Sequence, residues 1–269
     1  MKRILTIAGS DSGGGAGIQA DLKVITVFGG FGMSAVTAVT AQNTVGVHGV
    51  HAVPPEFIAR QIDVVMTDIG ADAAKTGMLA TPEIVTVVAD AVSRHHIEPL
   101  VVDPVMVAKS GDVLLAQEAQ QALKTVLLPL ASAVTPNLPE AEVLCGFAVR
   151  DQESMRAAAR EIHQMGPTHV IVTGGHLDGR AVDILFDGGE FTTYDGPRLV
   201  QNNTHGTGCS FSAALATLLG QGVEIKAAVD QAKQYITRAI KAGLPIGKGH
   251  GPTDPYSHIR YLLKKRAGS

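Results

Sequence analysis

Tryptophan is absent from this sequence, and aromatic residues together make up 4% of it. Aromatic platforms that stack single-stranded bases are therefore not expected. Cysteine is scarce, with Cys145 and Cys209 the two present. They fit neither a disulfide framework nor a zinc-ligand spacing. Charged residues are 17% of the chain, below the usual share of about 25%. The balance of 22 basic against 25 acidic residues leaves a net charge of −3. The one basic run, Lys264-Lys265-Arg266, lies at a C-terminus expected to fray. That balance argues against an extended nucleic-acid surface. Long apolar runs are missing too. No segment approaches the ~18 residues of a membrane span. Ile4 to Ala8, behind Met1-Lys2-Arg3, is too short for a signal-peptide core. A reduced, cytoplasmic chain without membrane or nucleic-acid partners is expected.

Apolar residues are plentiful, at 45% of 269 residues, enough for a large core. Glycine, at 30 residues, exceeds its usual share of about 7%. Short β-branched runs alternate with helical patterns. Strands are predicted at Ile4 to Ala8, Ser34 to Thr40, Val47 to Val53, Asp72 to Thr76, Leu100 to Asp103, Ala133 to Thr135 and His169 to Thr173. Helices are predicted at Gly17 to Phe28, Pro55 to Asp68, from Thr81-Pro82-Glu83 onward, and at Leu114 to Leu127, Asp151 to Gln164, Thr207 to Leu219 and Ile225 to Ala242. In the second helix Phe57, Ile58, Ile62 and Val65 are spaced for one buried face. Asp187-Gly188-Gly189 reads as a hairpin turn between Ala181 to Phe186 and Glu190 to Tyr194. Buried, non-alternating strands separated by helices argue an α/β fold, a doubly wound and mostly parallel sheet with a late antiparallel hairpin. One domain is expected. Ligands of such sheets sit outside the carboxyl ends of the strands, so the residues after each strand carry the functional argument.

Two glycine-rich loops stand out. Gly15-Ala16-Gly17-Ile18-Gln19-Ala20 matches the dinucleotide fingerprint formally. The acid that should follow about 20 residues later is missing, which weakens a nicotinamide enzyme. A tight turn or a backbone cradle against a substrate remains open. Thr204-His205-Gly206-Thr207-Gly208-Cys209-Ser210 runs straight into an apolar helix, where free amides and the helix dipole bind an anion such as a migrating phosphoryl group. Cys209 sits where that dipole is expected to depress a thiol pKa, or it is a small buried hydrophobe. Asn137 and Glu140, three apart at a helix start, either reach a common Mg²⁺ or form a cap. Lys75 at a strand end has little room to be a surface lysine. Asp103-Pro104 reads as a strand stop, Cys145 as a core residue, and His48, His51, His95 and His96 as surface residues. No G-x-x-x-x-G-K-[ST] loop occurs.

Taken in order, Leu5 to Ser12, Gly14 to Asp21, Thr40 to Thr44, Lys75 to Leu79, Asp103 to Met106, Thr135 to Glu142, Thr173 to His176, His205 to Cys209 and Gly251 to Thr253 resemble the ribokinase-like superfamily. Within it they resemble the hydroxymethylpyrimidine/phosphomethylpyrimidine kinases of thiamine biosynthesis. The resemblance covers nearly the whole chain. It implies a three-layer α/β/α domain, usually a homodimer, that uses ATP and Mg²⁺. It implies phosphorylation of 4-amino-5-hydroxymethyl-2-methylpyrimidine and then of the monophosphate. Gln42 would read the aminopyrimidine edge, since a primary amide donates and accepts at once. Gly9, Asp21, Met78 and Val105 would line the same pocket. Asn137, Thr173, Gly175 and Thr207 would bind the nucleotide, and Glu140 with Glu142 would serve Mg²⁺. Gly206, Gly208, Cys209 and Lys233 would act on the transferring phosphate. Sugar kinases of this fold carry Asp where Cys209 stands. One branch of pyridoxal kinases also carries Cys there, so pyridoxal kinase activity is the alternative, and Gln42 is the discriminator. Residues 107–112 are the candidate lid.

Overall fold

A computed structural model describes residues 1–106, 117–175 and 179–267. The candidate lid at 107–112 and His176 lie outside the described residues. The strands are β1 (Arg3–Asp11), β2 (Phe31–Gln42), β3 (Val47–Ala52), β4 (Ala73–Thr76), β5 (Leu100–Val102), β6 (Ala133–Val134), β7 (His169–Gly174), β8 (Ala181–Phe186) and β9 (Phe191–Gly196). The helices are α1 (Gly17–Val27), α2 (Pro55–Asp68), α3 (Pro82–Arg94), α4 (Gln117–Ala122), α5 (Leu138–Cys145), α6 (Gln152–His163), α7 (Thr207–Gly220), α8 (Ile225–Lys241) and α9 (Ser257–Ala267).

Among the described residues the strands form one nine-stranded sheet in the order β3-β2-β1-β4-β5-β6-β7-β8-β9. From β2 to β7 neighbouring strands are parallel. The expected hairpin β8–β9 adds an antiparallel edge. A second antiparallel edge, β3 on β2, was not expected. Its cause is the short connection 43–46, since a parallel return needs a crossover of a dozen residues or more. Both faces of the sheet are covered. Leu5 and Ile7 pack with Ile58, Val85 and Met155 on one face. Ile4 packs with Val24, Phe211 and Ala228 on the other. Alternate residues of β1 thus serve opposite cores, which is why the strand reads as a continuous apolar run.

Local signals explain the helix starts. Thr81 accepts from the Ile84 amide at 3.3 Å, and Asp151 from Ser154 at 2.8 Å. On α2, Ile58 and Ile62 are fully buried while Phe57 is 55% exposed. Residues 58, 62 and 65 follow the i, i+4, i+7 stripe, and position 57 lies off its flank. The helix expected to end at Leu127 instead changes to a π turn over Leu123–Leu127 and a 3₁₀ turn over Leu128–Leu130. Pro129, without an N–H, cannot extend an α-helical ladder. The C-terminal residues expected to fray form α9. The chain leaves β1 toward β2 on one side and returns to β4 on the other. The crevice between the carboxyl ends of β1 and β4 is therefore the switch point of the sheet, where ligands of open α/β sheets bind.

Candidate active site

Asp11 ends β1 and organises the first glycine loop. Its carboxylate accepts from the amides of Gly13 at 2.8 Å, Gly15 at 3.0 Å and Ala16 at 2.8 Å. It also faces His205 Nε2 at 2.9 Å. Burial opposes its charge, but His205 and the amides of Ala16 and Gly13 hold the carboxyl below its ordinary value.

The second glycine loop lies directly on the first. Gly206 has φ +77° and caps α7. A Cβ there would stand 1.8 Å from the Gly15 carbonyl oxygen, so only glycine permits this approach. A Cβ on Gly15 would in turn stand 2.4 Å from His205 Cδ2. The two loops form one backbone-lined wall. The amides of Gly208 and Cys209, in the first turn of α7, have no acceptor inside the helix, and their dipole end favours an anion. Thr207 does not join them. Its amide and hydroxyl both donate to the Thr204 carbonyl, at 3.3 and 2.7 Å. Thr207 thereby closes the turn that enters α7.

Beneath this wall lies a buried charge cluster. Lys75, on β4, has no exposed surface. Its ammonium donates to both oxygens of Asp21 at 3.0 and 3.1 Å and lies 3.8 Å from Asp103. Thr6 donates to Asp21 at 2.6 Å, and Ser212 to Asp103 at 2.9 Å. Burial works against the Lys75 charge, but the carboxylates of Asp21 and Asp103 more than offset it and keep the amine protonated. Asp21 was expected to line the substrate pocket. It has no exposed surface, and both of its oxygens are engaged, so it holds Lys75 under the pocket instead.

The thiol of Cys209 also departs from expectation. It is pushed up to about 12, by burial first and then by Asp103 and Asp21, with Lys75 and the Gly17 amide pulling the other way. A helix terminus contributes about 0.3–1 kcal/mol to a nearby charge. Desolvation of a buried group shifts pKa by up to several units and wins here. In the free protein Cys209 is a thiol, not a thiolate.

Asn137 and Glu140 form a reciprocal capping box at α5, with the Glu140 amide on Asn137 Oδ1 at 3.0 Å and the Asn137 amide on Glu140 Oε2 at 2.9 Å. The cap and the ligand readings are not exclusive. Glu140 is 7% exposed and pushed up to about 8, by burial first and then by the Asp103 charge. Two buried carboxylates repelling each other are what a cation would relieve. Glu142 does not join them. It accepts from the Val149 amide at 2.8 Å and pairs with Arg150 at 3.6 Å, fastening the loop after α5. Residues two apart on a helix point to different faces. Among the described residues no group of three or more His, Cys, Asp or Glu converges as a metal cage.

Thr173, next to Asn137 across an isolated bridge, donates its amide to Pro136 O at 2.9 Å. Gly175, two residues on, is exposed. Lys233 was expected by the transferring phosphate. Its ammonium is held by the Ala181 carbonyl at 2.7 Å and by Asp183 at 2.8 Å. There it lines a cavity of about 380 Å³ with Tyr194, Gly196 and Thr237. Gly9 faces Met78, whose Cε would lie 3.0 Å from a Cβ at position 9, and Val105 is half-buried just beyond Asp103. Gln42 is half-buried, with its amide 3.4 Å from His205 and 3.2 Å from Thr40. Asp11 and His205 carry no assigned role in the sequence, and Asp103 reads there as a strand stop. Their signal was a charged or titratable residue at the end of an apolar strand or the start of a glycine loop.

The raised carboxyl gives a testable consequence. Unfolded, Glu140 titrates near its ordinary 4.5; folded, it titrates near 8. Between these values the native state binds more protons, so metal-free stability should fall as pH rises from about 4.5 to about 8, then level off. Glu140→Gln should flatten this fall. Thermal melts in chelator from pH 4.5 to 8.5 check it, and parallel curves for parent and variant would reject it.

A phosphomethylpyrimidine kinase family model matches residues 11–254. The chain is 49% identical over 251 residues to a hydroxymethylpyrimidine/phosphomethylpyrimidine kinase of Streptomyces coelicolor, covering 93% of each chain. It is 53% identical over 252 residues to the thiamine biosynthesis bifunctional protein ThiED of Geobacter sulfurreducens, covering 93% of this chain and 51% of that one. It therefore spans about half the length of that bifunctional relative. The Bacillus subtilis pyridoxal kinase, solved as an ADP complex, superposes with a TM-score of 0.90 at 40% identity, covering 97% of this chain and 99% of that one. With glycine loops joined at the switch point of a ribokinase-like sheet, and with matches of this extent, the chain belongs to the phosphomethylpyrimidine kinase family.

Proposed function

We propose that this chain is a kinase that transfers the γ-phosphoryl group of ATP to 4-amino-5-hydroxymethyl-2-methylpyrimidine and then to the resulting monophosphate, yielding the diphosphate for thiamine synthesis. The observation that carries this is the joining of Gln42 to the phosphate-binding loop. The amide that reads the pyrimidine lies 3.4 Å from His205, next in sequence to the Gly206 cap of α7. A substrate read by Gln42 therefore places its hydroxymethyl arm toward the Gly208 and Cys209 amides. Gly9, Met78 and Val105 supply the apolar walls. The amides hold the migrating phosphoryl group, with Lys75 as fixed positive charge beneath them. In the first transfer the hydroxyl proton passes to the thiolate form of Cys209, which the thiol reaches by losing its own proton before the attack. Asn137, Thr173 and Gly175 lie on the nucleotide side, with Lys233 at its far wall.

Glu140 and Asp103 fit Mg²⁺, which commonly binds through one or two carboxylates plus substrate phosphates. When bound, Mg²⁺ neutralises charge on the ATP phosphates. Excess Mg²⁺ should partly rescue the activity lost in Glu140→Gln. No helix among the described residues is long and apolar enough to cross a membrane. The reaction is proposed to run in the cytoplasm, where ATP is supplied. A homodimer is proposed through the β3 edge, where Val50 of the strand and Val45 in the turn before it are exposed at 47% and 61%.

The deciding experiment gives the purified protein ATP, Mg²⁺ and each candidate alcohol, and follows ADP release. The similarity to a pyridoxal kinase makes pyridoxal the comparison substrate. Turnover of pyridoxal with none of the aminopyrimidine would overturn the main reading. Gln42→Met should reduce kcat/KM for the pyrimidine about 5- to 150-fold, the equivalent of about 1–3 kcal/mol for an unpartnered polar group in a dry pocket. The KM for ATP should hold. An unchanged pyrimidine kcat/KM removes Gln42 from the site.

A further inference from the structure

Where β1, β2 and the second glycine loop converge, hydrogen-bond bookkeeping fixes more than the distances alone. The Asp11 carboxyl is 3% exposed and kept ionised by its amide and imidazole donors. An ionised carboxylate only accepts. His205 Nε2, 2.9 Å from Asp11 Oδ2, must therefore carry its hydrogen. That nitrogen then has no lone pair for the Gln42 amide nitrogen lying 3.4 Å away. On the other side of the amide, the one hydroxyl hydrogen of Thr40 reaches either the Ser10 carbonyl at 2.9 Å or Gln42 Oε1 at 3.2 Å. With its nitrogen toward His205, the amide meets a donor with a donor. Turning it by 180° about its last bond removes that mismatch and leaves the Ser10 carbonyl as the acceptor for Thr40, because amide oxygen and nitrogen are told apart by their partners. Its oxygen then shares the single Nε2 hydrogen with Asp11 in a three-centre bond, the longer arm at 3.4 Å going to Gln42, and its NH₂ faces Thr40.

We infer that His205, anchored by Asp11, is a positioning residue that sets the orientation of the Gln42 amide and so decides which way round the substrate's donor–acceptor edge is read. This rests on the kinase reading above for the identity of the substrate. The remaining lone pair of the Gln42 oxygen, on the His205 side, takes the substrate's amino group. The remaining N–H, on the Thr40 side, meets the adjacent ring nitrogen. The imidazole is not free to swing. Gly15 leaves no room for even a Cβ beside it. The His205 backbone is stitched on both sides, its amide to Gly251 O at 3.0 Å and its carbonyl to the Thr253 amide at 3.2 Å. The anchored order Asp11–His205–Gln42 makes the pocket selective for an amino group beside a ring acceptor. It disfavours the oxo analogue, in which donor and acceptor are exchanged.

Two measurements test it. The first compares kcat/KM for the aminopyrimidine and its 4-oxo analogue in the parent and in His205→Leu. The amino-over-oxo preference should fall about tenfold or more, as expected when one oriented hydrogen bond is lost, with the KM for ATP holding. Equal loss for both substrates, leaving the preference intact, would show that His205 only shapes the loop and would overturn the inference. The second needs no activity and covers a variant that fails to fold. In the ¹⁵N spectrum of the free parent protein, Nε2 of His205 should carry hydrogen, and a bare Nε2 overturns the inference directly. A parent that phosphorylates neither pyrimidine would sink the kinase reading, while the spectrum still decides the arrangement of His205.

Discussion

Lys75→Met is expected to destabilise the protein by about 3–5 kcal/mol, the range for removing one partner of a buried ion pair. The reason lies in what remains. Asp21 and Asp103 are nearly without exposure, and each is already pushed up by burial despite the lysine. Without the ammonium, Thr6 and Ser212 are left as neutral donors to two buried charges. Methionine fills the volume and supplies no charge, so packing loss is not the cause. The pH dependence separates the two explanations. Raised carboxyls favour the protonated native state, so the deficit should be largest near pH 7 and shrink as pH falls toward 4. Adding Asp21→Asn should recover part of the loss. Urea unfolding of the three proteins at several pH values measures this. A deficit below about 1 kcal/mol, or one independent of pH, would mean that the cluster's charge is not what holds it.

Cys209→Ala is expected to separate the two phosphoryl transfers. An alcohol must lose its proton as it attacks, and a positioned base contributes typically 10²–10⁴-fold. The second acceptor is a phosphate monoester whose second pKa is about 6, so at pH 7 it is mostly dianionic and needs no base. It needs positive potential, which the Gly208 and Cys209 amides and Lys75 provide. The variant should lose the first transfer by about 10²–10⁴-fold and the second only slightly. Because the parent thiol titrates near 12, its thiolate fraction rises about tenfold per pH unit through the neutral range. The first transfer should therefore speed up from pH 7 to 9 in the parent and lose that slope in the variant. Initial rates with each acceptor at saturating Mg-ATP test it. Equal fractional losses would make Cys209 a shaper of the anion hole, and no loss in either step would leave it a packing residue.

Much of this protein is legible before any coordinates. The strands, most helices and the hairpin follow from apolar periodicity and turn residues, because those signals are local. Thr81 and Asp151 cap the helices they precede, and Gly206 sits in the left-handed region that its turn demands. The motif order identified the family, since each motif follows a strand and strand ends converge. Pairing was not legible. Asp21 and Lys75 are 54 residues apart, and Asp11 and His205 are 194 apart. No local pattern says which charges will meet. The sequence could not show that burial would outweigh the helix dipole at Cys209, because desolvation depends on everything packed around the sulfur. Nor could it show that Glu142 turns away from Glu140, or that Lys233 is held by Asp183. The chain's order of residues determined the elements and the edge of the sheet where chemistry gathers. The tertiary structure alone decided which buried groups face one another, and with that their charge states, because electrostatic coupling follows distance and solvent exclusion rather than position along the chain.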